Sequence, residues 1–480
     1  MLSPTHRYRS SFGQSPVVNF ETAVLMGKPA DGGLFVPEAL PQVSQEQLMA
    51  WKDLSYPALA TELLQLFIDE ETIPKDDLIR LVADSFGTFL HPEIIPHHPL
   101  PGGIFVQELF HGPTLSFKDV AMGFVVNLFD YFLQRRGERR TLMVATSGDT
   151  GPAAAHASIG KTSLSTWLFF PTGLITDEQA RQMTTILAPN VHPVAVADCR
   201  NGSDDLDELI ARCFADDAFR EELQLSSVNS INWARVMTQI IHYFYGYLQH
   251  AGQVGDPVHF AVPCGAFGNM CAGSMARRMG LPVGQLIVAN NANITLSEVL
   301  TTGVFRKFNI KNTLASAIDI AMPLNFWRHL YFSLDQRMDR LQEAWNTYEV
   351  SGEIQFTPEE QQAFSTGFLP FTVTDEQVVA TIRETWSVSG YLLDPHGAVA
   401  VTAARHYRST LAPGPIVCLA TAHPAKFPTT TALALGEVPV AGTHASLLTN
   451  QRACERKYTS TYTEMWTAVP EVMRRVVLGQ

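Results

Sequence analysis

The chain has 480 residues, 46% hydrophobic and 17% charged, with 34 Lys+Arg against 47 Asp+Glu for a formal charge of −13. So apolar and sparsely charged a composition excludes a disordered chain, and at roughly 150 residues per domain the length allows two to four domains. The acidic balance excludes a general nucleic-acid binder, which needs clustered positive charge to displace counterions, yet it leaves room for a small anion in a locally basic pocket.

The opening residues 1–11 hold early bases but no apolar core, so no secretory signal is expected. No stretch approaches the roughly 18 uninterrupted apolar residues of a membrane span, so no membrane partner is expected either. The six cysteines (Cys199, Cys213, Cys264, Cys271, Cys418 and Cys454) are scattered, with no CxxC pair. They read as reduced thiols of a cytoplasmic protein. Residues 1–100 read as helical with many breaks; Leu59, Leu63, Leu66 and Phe67 share one helical face within Leu59–Glu70. His97 and His98 stand between prolines without a cysteine or carboxylate at ligand spacing, and read as loop rather than metal site. Pro92, Pro96, Pro99 and Pro101 mark a boundary.

From Ile104 the pattern changes. Strands are expected at Ile104–Leu109, Thr141–Thr146, Leu164–Phe170, His192–Val196, Val258–Val262, Leu286–Ala289 and Ile416–Thr421. Helices are expected between them at Val120–Arg135, Pro152–Ile159, Glu178–Leu187, Ser203–Phe214, Trp233–His250, Met270–Met279 and Gln361–Ser389. This alternation is the signature of α/β layering with mostly parallel sheets.

Ligands in such sheets gather at the carboxyl ends of strands, and four strand ends carry unusual residues. In Glu108–Asp119 a Gly-Pro turn precedes an apolar run holding one lysine, Lys118. It is either a lysine snorkelling at a helix start or an amine nucleophile of lowered pKa. Thr146-Ser147-Gly148-Asp149-Thr150-Gly151 opens a helix, as an ordinary capped turn or as a cup of N–H groups for a carboxylate. Cys264-Gly265-Ala266-Phe267-Gly268-Asn269 is either a tight turn or a phosphate cup; it is neither the dinucleotide pattern nor a Walker A loop. Thr421-Ala422-His423-Pro424-Ala425-Lys426 puts a hydroxyl, an imidazole and an ammonium at one late strand end, either as a polar loop or as part of a site. Together, a reactive lysine, a phosphate cup and a carboxylate cup are what a pyridoxal-phosphate enzyme requires.

These segments, with Asp31–Pro37, Asn229–Arg235, Thr313–Ile320 and Asp394-Pro395-His396, resemble the threonine synthase family across nearly the whole chain. The resemblance implies the tryptophan synthase β-like (fold type II) architecture: two three-layer α/β/α lobes with a mostly helical N-terminal region. The divisions expected from it are 1–100 as accessory region, 101–235 as smaller lobe, 236–440 as larger lobe and 441–480 as a tail packing on the core. It implies that Lys118 holds pyridoxal 5′-phosphate as a Schiff base, beside Phe117. Gly265, Ala266, Phe267, Gly268 and Asn269 would hold the cofactor phosphate, and Thr421 its pyridine nitrogen. Thr146, Ser147, Asp149, Thr150 and Asn325 would face the substrate, with Arg328, Lys426 and His111 as candidates for a leaving-phosphate pocket. No metal is expected. The implied reaction replaces the phosphate of O-phospho-L-homoserine by water to give threonine, in a monomer or homodimer.

Three departures stand on the substrate side. The usual Gly-Asn-Phe-Gly cup reads Gly265-Ala266-Phe267-Gly268. An acid has become Ile294, and an arginine position is Glu298. They keep open a second reading, elimination or replacement on a different β- or γ-substituted amino acid. A non-catalytic cofactor-binding protein is the minor alternative.

Overall fold

The computed structural model describes residues 3–202 and 204–479. A five-stranded, all-parallel sheet runs in the order Tyr458–Thr461, Val191–Ala197, Leu164–Pro171, Arg140–Ala145, Leu225–Ser226. A six-stranded sheet runs Phe368–Thr372, Val283–Asn290, Val258–Pro263, Ile416–Ala420, Ile104–Glu108, His97–Leu100, parallel except for its last pair. Near-continuous apolar strands such as Leu164–Pro171 are buried on both faces, the condition that parallel sheets impose. Lys118–Arg136 and Trp233–His250 pack against each other in a core cluster that takes side chains from both sheets. The second is buried from Trp233 to Leu248, all the way round, which marks a central helix rather than a surface one.

Three expectations change. The region before residue 100 is not only helical: Arg7–Ser10 pairs antiparallel with Val18–Asn19 and Phe35–Pro37, and His97–Leu100 is a strand, not a loop. Pro99 is tolerated there because the strand lies at a sheet edge. The expected helix Gln361–Ser389 is two helices, Pro358–Ser365 and Asp375–Ser389, with the edge strand Phe368–Thr372 between them. Gly367 at φ +81° turns the chain out of the first helix, and the Thr374–Gln377 capping box starts the second. Finally, strand pairing crosses the expected divisions. Ile104–Glu108 belongs to the six-stranded sheet, and Tyr458–Thr461 of the tail adds a strand to the five-stranded one. The acidic helix occupies Asp204–Ala215; Ser203, where it was expected to begin, lies outside the described residues.

All six cysteines are free. Among the described residues no helix is long and apolar enough to cross a membrane, and no cluster of three or more His, Cys, Asp or Glu is placed to hold a metal.

Candidate active site

Lys118 and Thr421 are more than 300 residues apart in sequence, and the backbone brings them together. The parallel neighbours Ile104–Glu108 and Ile416–Ala420 stay paired beyond their ends. Leu109 N donates to Ala420 O, Phe117 N to Thr421 O and His423 N to Leu115 O, at 3.0, 2.8 and 3.0 Å. Gly112 makes the intervening turn possible, since a Cβ there would lie 2.3 Å from that of Asp119. Lys118 is the first residue of its helix, half-buried, with Nζ 4.3 Å from the centre of the Phe117 ring. Desolvation first, and the Arg235 guanidinium second, lower its amine to about 8. The Thr421 side chain is 6% exposed.

The Gly-rich turn follows Val258–Pro263 and opens the helix Gly268–Arg278. Phe267 takes the left-handed conformation at φ 64°, a strained state for an aromatic residue. It aims successive N–H groups the same way, the geometry of an anion nest. Cys264 N and Cys271 N find carbonyls, at Ala289 and Phe267, but the six N–H groups of 265–270 between them find none among the described residues. The Asn269 carboxamide is fixed by His242 Nε2 and by the Tyr243 hydroxyl, each 2.9 Å from Oδ1, while its buried Nδ2 has no partner. Buried donors without acceptors at a helix N-terminus fit a phosphate monoester.

In the 146–151 turn, Thr146 Oγ1 accepts from Gly148 N and Gly151 N at 3.1 and 2.9 Å and so shapes the turn, and the Ser147 and Thr150 hydroxyls find no partner among the described residues. Asp149 is engaged through one oxygen: its Oδ1 accepts from Lys426 Nζ at 2.7 Å and Gln179 Nε2 at 3.0 Å. The same contact engages Lys426. Arg328 is fully buried and donates to Phe35 O, Ile231 O and Asn325 Oδ1, a tie between the N-terminal sheet and the cup. Asn325 also donates through its backbone to Ala266 O at 3.2 Å. His111 Nε2 lies 2.6 Å from Glu108 Oε2. All three residues expected to meet the leaving phosphate therefore have protein partners already.

Arg235 is the residue the sequence reading passed over. It is 1% exposed, and no carboxylate lies within 4 Å of it among the described residues. NH1 donates to Val228 O at 2.9 Å, and Nε has no partner. Its charge reaches Lys118. The signal was a lone arginine in the first turn of a helix with no other Lys, Arg, Asp or Glu. Glu298, the charge reversal noted in sequence, is answered by Arg306 NH2 at 2.9 Å. It presents no unpaired negative charge.

These residues fit pyridoxal phosphate: an amine of lowered pKa, a cup of unpartnered N–H groups and a buried hydroxyl. Comparison with known proteins agrees. The threonine synthase N terminus family matches residues 7–86, the pyridoxal-phosphate dependent enzyme family residues 91–340, and the threonine synthase C-terminal family residues 397–471. The chain is 39% identical to a threonine synthase of Pseudomonas aeruginosa over 93% of its own length and 95% of the relative's. It is also 39% identical to a threonine synthase-like 2 of Pongo abelii, over 88% and 87%. A crystal structure of pyridoxal-phosphate-bound threonine synthase from Brucella melitensis superposes with a TM-score of 0.91 at 38% identity, covering 98% of this chain and 99% of that one. With sequence, sheet order and site in agreement, the chain belongs to the threonine synthase family of pyridoxal-phosphate-dependent enzymes.

Proposed function

We propose that the protein converts O-phospho-L-homoserine and water into threonine and phosphate, with Lys118 as its catalytic residue. The observation that carries this reading is the pairing of an amine lowered to about 8 with a buried arginine that lacks a counter-charge. Pyridoxal phosphate, when bound, supplies the electron sink that stabilises carbanions on the substrate. The N–H groups of 265–269 would hold its phosphate, and the Thr421 hydroxyl would meet its pyridine nitrogen. That nitrogen then faces a neutral partner. Ser147 and Thr150 orient the substrate carboxylate. Lys118 Nζ, largely able to exchange a proton near neutral pH, takes the proton from the substrate Cα and returns protons along the chain of carbons. The fixed charge of Arg235 stabilises the departing phosphate dianion, in a site where burial strengthens the attraction.

The experiment is a product assay with O-phospho-L-homoserine, read by mass spectrometry. Equal release of phosphate and threonine is expected. Phosphate with a keto acid instead would make the protein a phospho-lyase, and no phosphate at all would point to the second reading, a different substituted amino acid. Borohydride should trap the cofactor on Lys118, and Lys118→Ala should abolish both the trapped label and turnover.

A further inference from the structure

No step above uses the buried lysine–carboxylate pair beside the site. Lys426 closes the short turn Pro424–Lys426 after the last strand of the six-stranded sheet, and Asp149 caps the helix Thr150–Ser158 after a strand of the five-stranded sheet. Their side chains are 0% and 3% exposed, and Nζ lies 2.7 Å from Oδ1. Lys426 Nζ also donates to Thr114 O at 3.0 Å, an oxygen that accepts Gln182 Nε2 at 2.9 Å as well. Thr114 in turn donates through N and Oγ1 to the Asp119 carboxylate, at 2.8 and 2.7 Å. One ammonium thus joins the segment leading into Lys118, the 146–151 turn and the segment carrying Thr421.

We propose that Lys426 is a positioning residue that clasps the two lobes through Asp149 and sets the electrostatic field at Lys118. It rests on the reading of Lys118 as the cofactor lysine. The charged groups facing Lys118 are Arg235 from Trp233–His250, Asp149 from the cap of Thr150–Ser158, and Lys426. Those facing Asp149 are Lys426 and His396 of Pro395–Tyr407, with the neutral Gln179 of Asp177–Thr184. The two members of the pair act on Lys118 in opposite directions. Removing the ammonium deletes a cation and uncovers an anion, and both changes favour a protonated nitrogen at Lys118. Removing the carboxylate does the reverse. A pair that only held the lobes together would weaken the fold on either substitution and give no such opposition.

The test uses the holoenzyme and titrates the cofactor's visible absorbance with pH, alongside melting temperature. Lys426→Met should raise the titration midpoint by roughly one pH unit and Asp149→Asn should lower it by a similar amount. Lys426→Arg should stay near wild type. The double variant Lys426→Met/Asp149→Asn buries no charge, so it folds where a single variant fails to, and its midpoint should fall between those of the singles. Midpoints that stay at the wild-type value, or that move the same way in both singles, overturn the proposal. So does a double variant displaced as far as either single. A borohydride label that persists in Lys118→Ala overturns the reading of Lys118 itself, and the proposal with it.

Discussion

Arg235 holds a guanidinium in the protein interior without a carboxylate beside it. Burial alone lowers it, to about 10, so it remains charged at neutral pH. A buried cation that no acid compensates is costly unless an anion reaches it. Arg328 is as buried, but its donors are met by the chain, whereas the Arg235 Nε has no partner among the described residues, and this difference argues for binding rather than packing at Arg235. Arg235→Met keeps the length and removes the charge. It is expected to lower kcat/KM for the phosphorylated substrate about 100-fold. Because Arg235 helps hold the Lys118 amine down, its loss should also move the acidic limb of the rate profile to higher pH. Steady-state kinetics across pH checks both, with the visible absorbance confirming that cofactor is still bound. Arg328 is expected to behave differently. Its donors join Phe35, Ile231 and Asn325, so its removal should appear first as lost stability.

At the scale of elements, the site is made of helix starts and strand ends, and one close approach controls the phosphate cup. A Cβ at Gly265 would stand 2.9 Å from the Cα of Ile318. Backbone cannot yield as a flexible side chain can. Gly265→Ala should therefore displace the turn and misalign its N–H groups. One charge-assisted hydrogen bond contributes about 1.5–3 kcal/mol, so cofactor affinity is expected to fall about tenfold or more. Fluorescence titration of the apo-protein with pyridoxal phosphate measures it. The departure at Ala266 weighs less, because the cup is built from main-chain donors and does not depend on a side-chain amide at that position. In the tail, Met465, Val469 and Met473 pack into the core of the five-stranded sheet, while Leu447 packs with Leu115 and Ala425.

Over the whole molecule, pH acts through buried imidazoles. Burial lowers His97 and His329 to about 3, and His192, His242, His250 and His423 to about 4. In the unfolded chain each titrates near 6.5. Between those values the unfolded chain binds more protons, so stability falls as pH drops from about 6.5 toward 4. Asp31, Glu108, Asp149 and Glu360 are held low by their hydrogen bonds and ion pairs and add to the loss at the acid end. Asp119, Asp204 and Asp319, raised to about 6 by burial, act in the opposite sense, their contribution lost as pH rises. The imidazoles and paired acids outnumber them. The melting temperature is expected to drop by about 10 °C or more between pH 7 and pH 4.5, read by calorimetry. His242 orients Asn269 in the phosphate cup, so cofactor release should accompany or precede unfolding.

Sequence by itself determined the α/β alternation, which rests on residue type and local spacing, while the family and the cofactor were legible through the resemblance of many motifs in one order. A lone lysine after a Gly-Pro turn and a Gly-x-x-Gly at a helix start carry their chemistry in the chain order. Most helices and strands are legible for the same reason: periodicity and capping are local. Tertiary structure decided the rest. Phe368–Thr372 became a strand only because Val283–Asn290 offers it an edge, and Ile104–Glu108 joined the six-stranded sheet because Ile416–Ala420 lies beside it. Lys426, His111 and Arg328 look like free cationic groups in sequence, yet each is engaged by partners 3 to more than 300 residues away. Arg235 looks like one helical arginine among apolar neighbours. Whether a charge is compensated depends on which groups the fold brings within a few ångströms, and spacing along the chain does not carry that information.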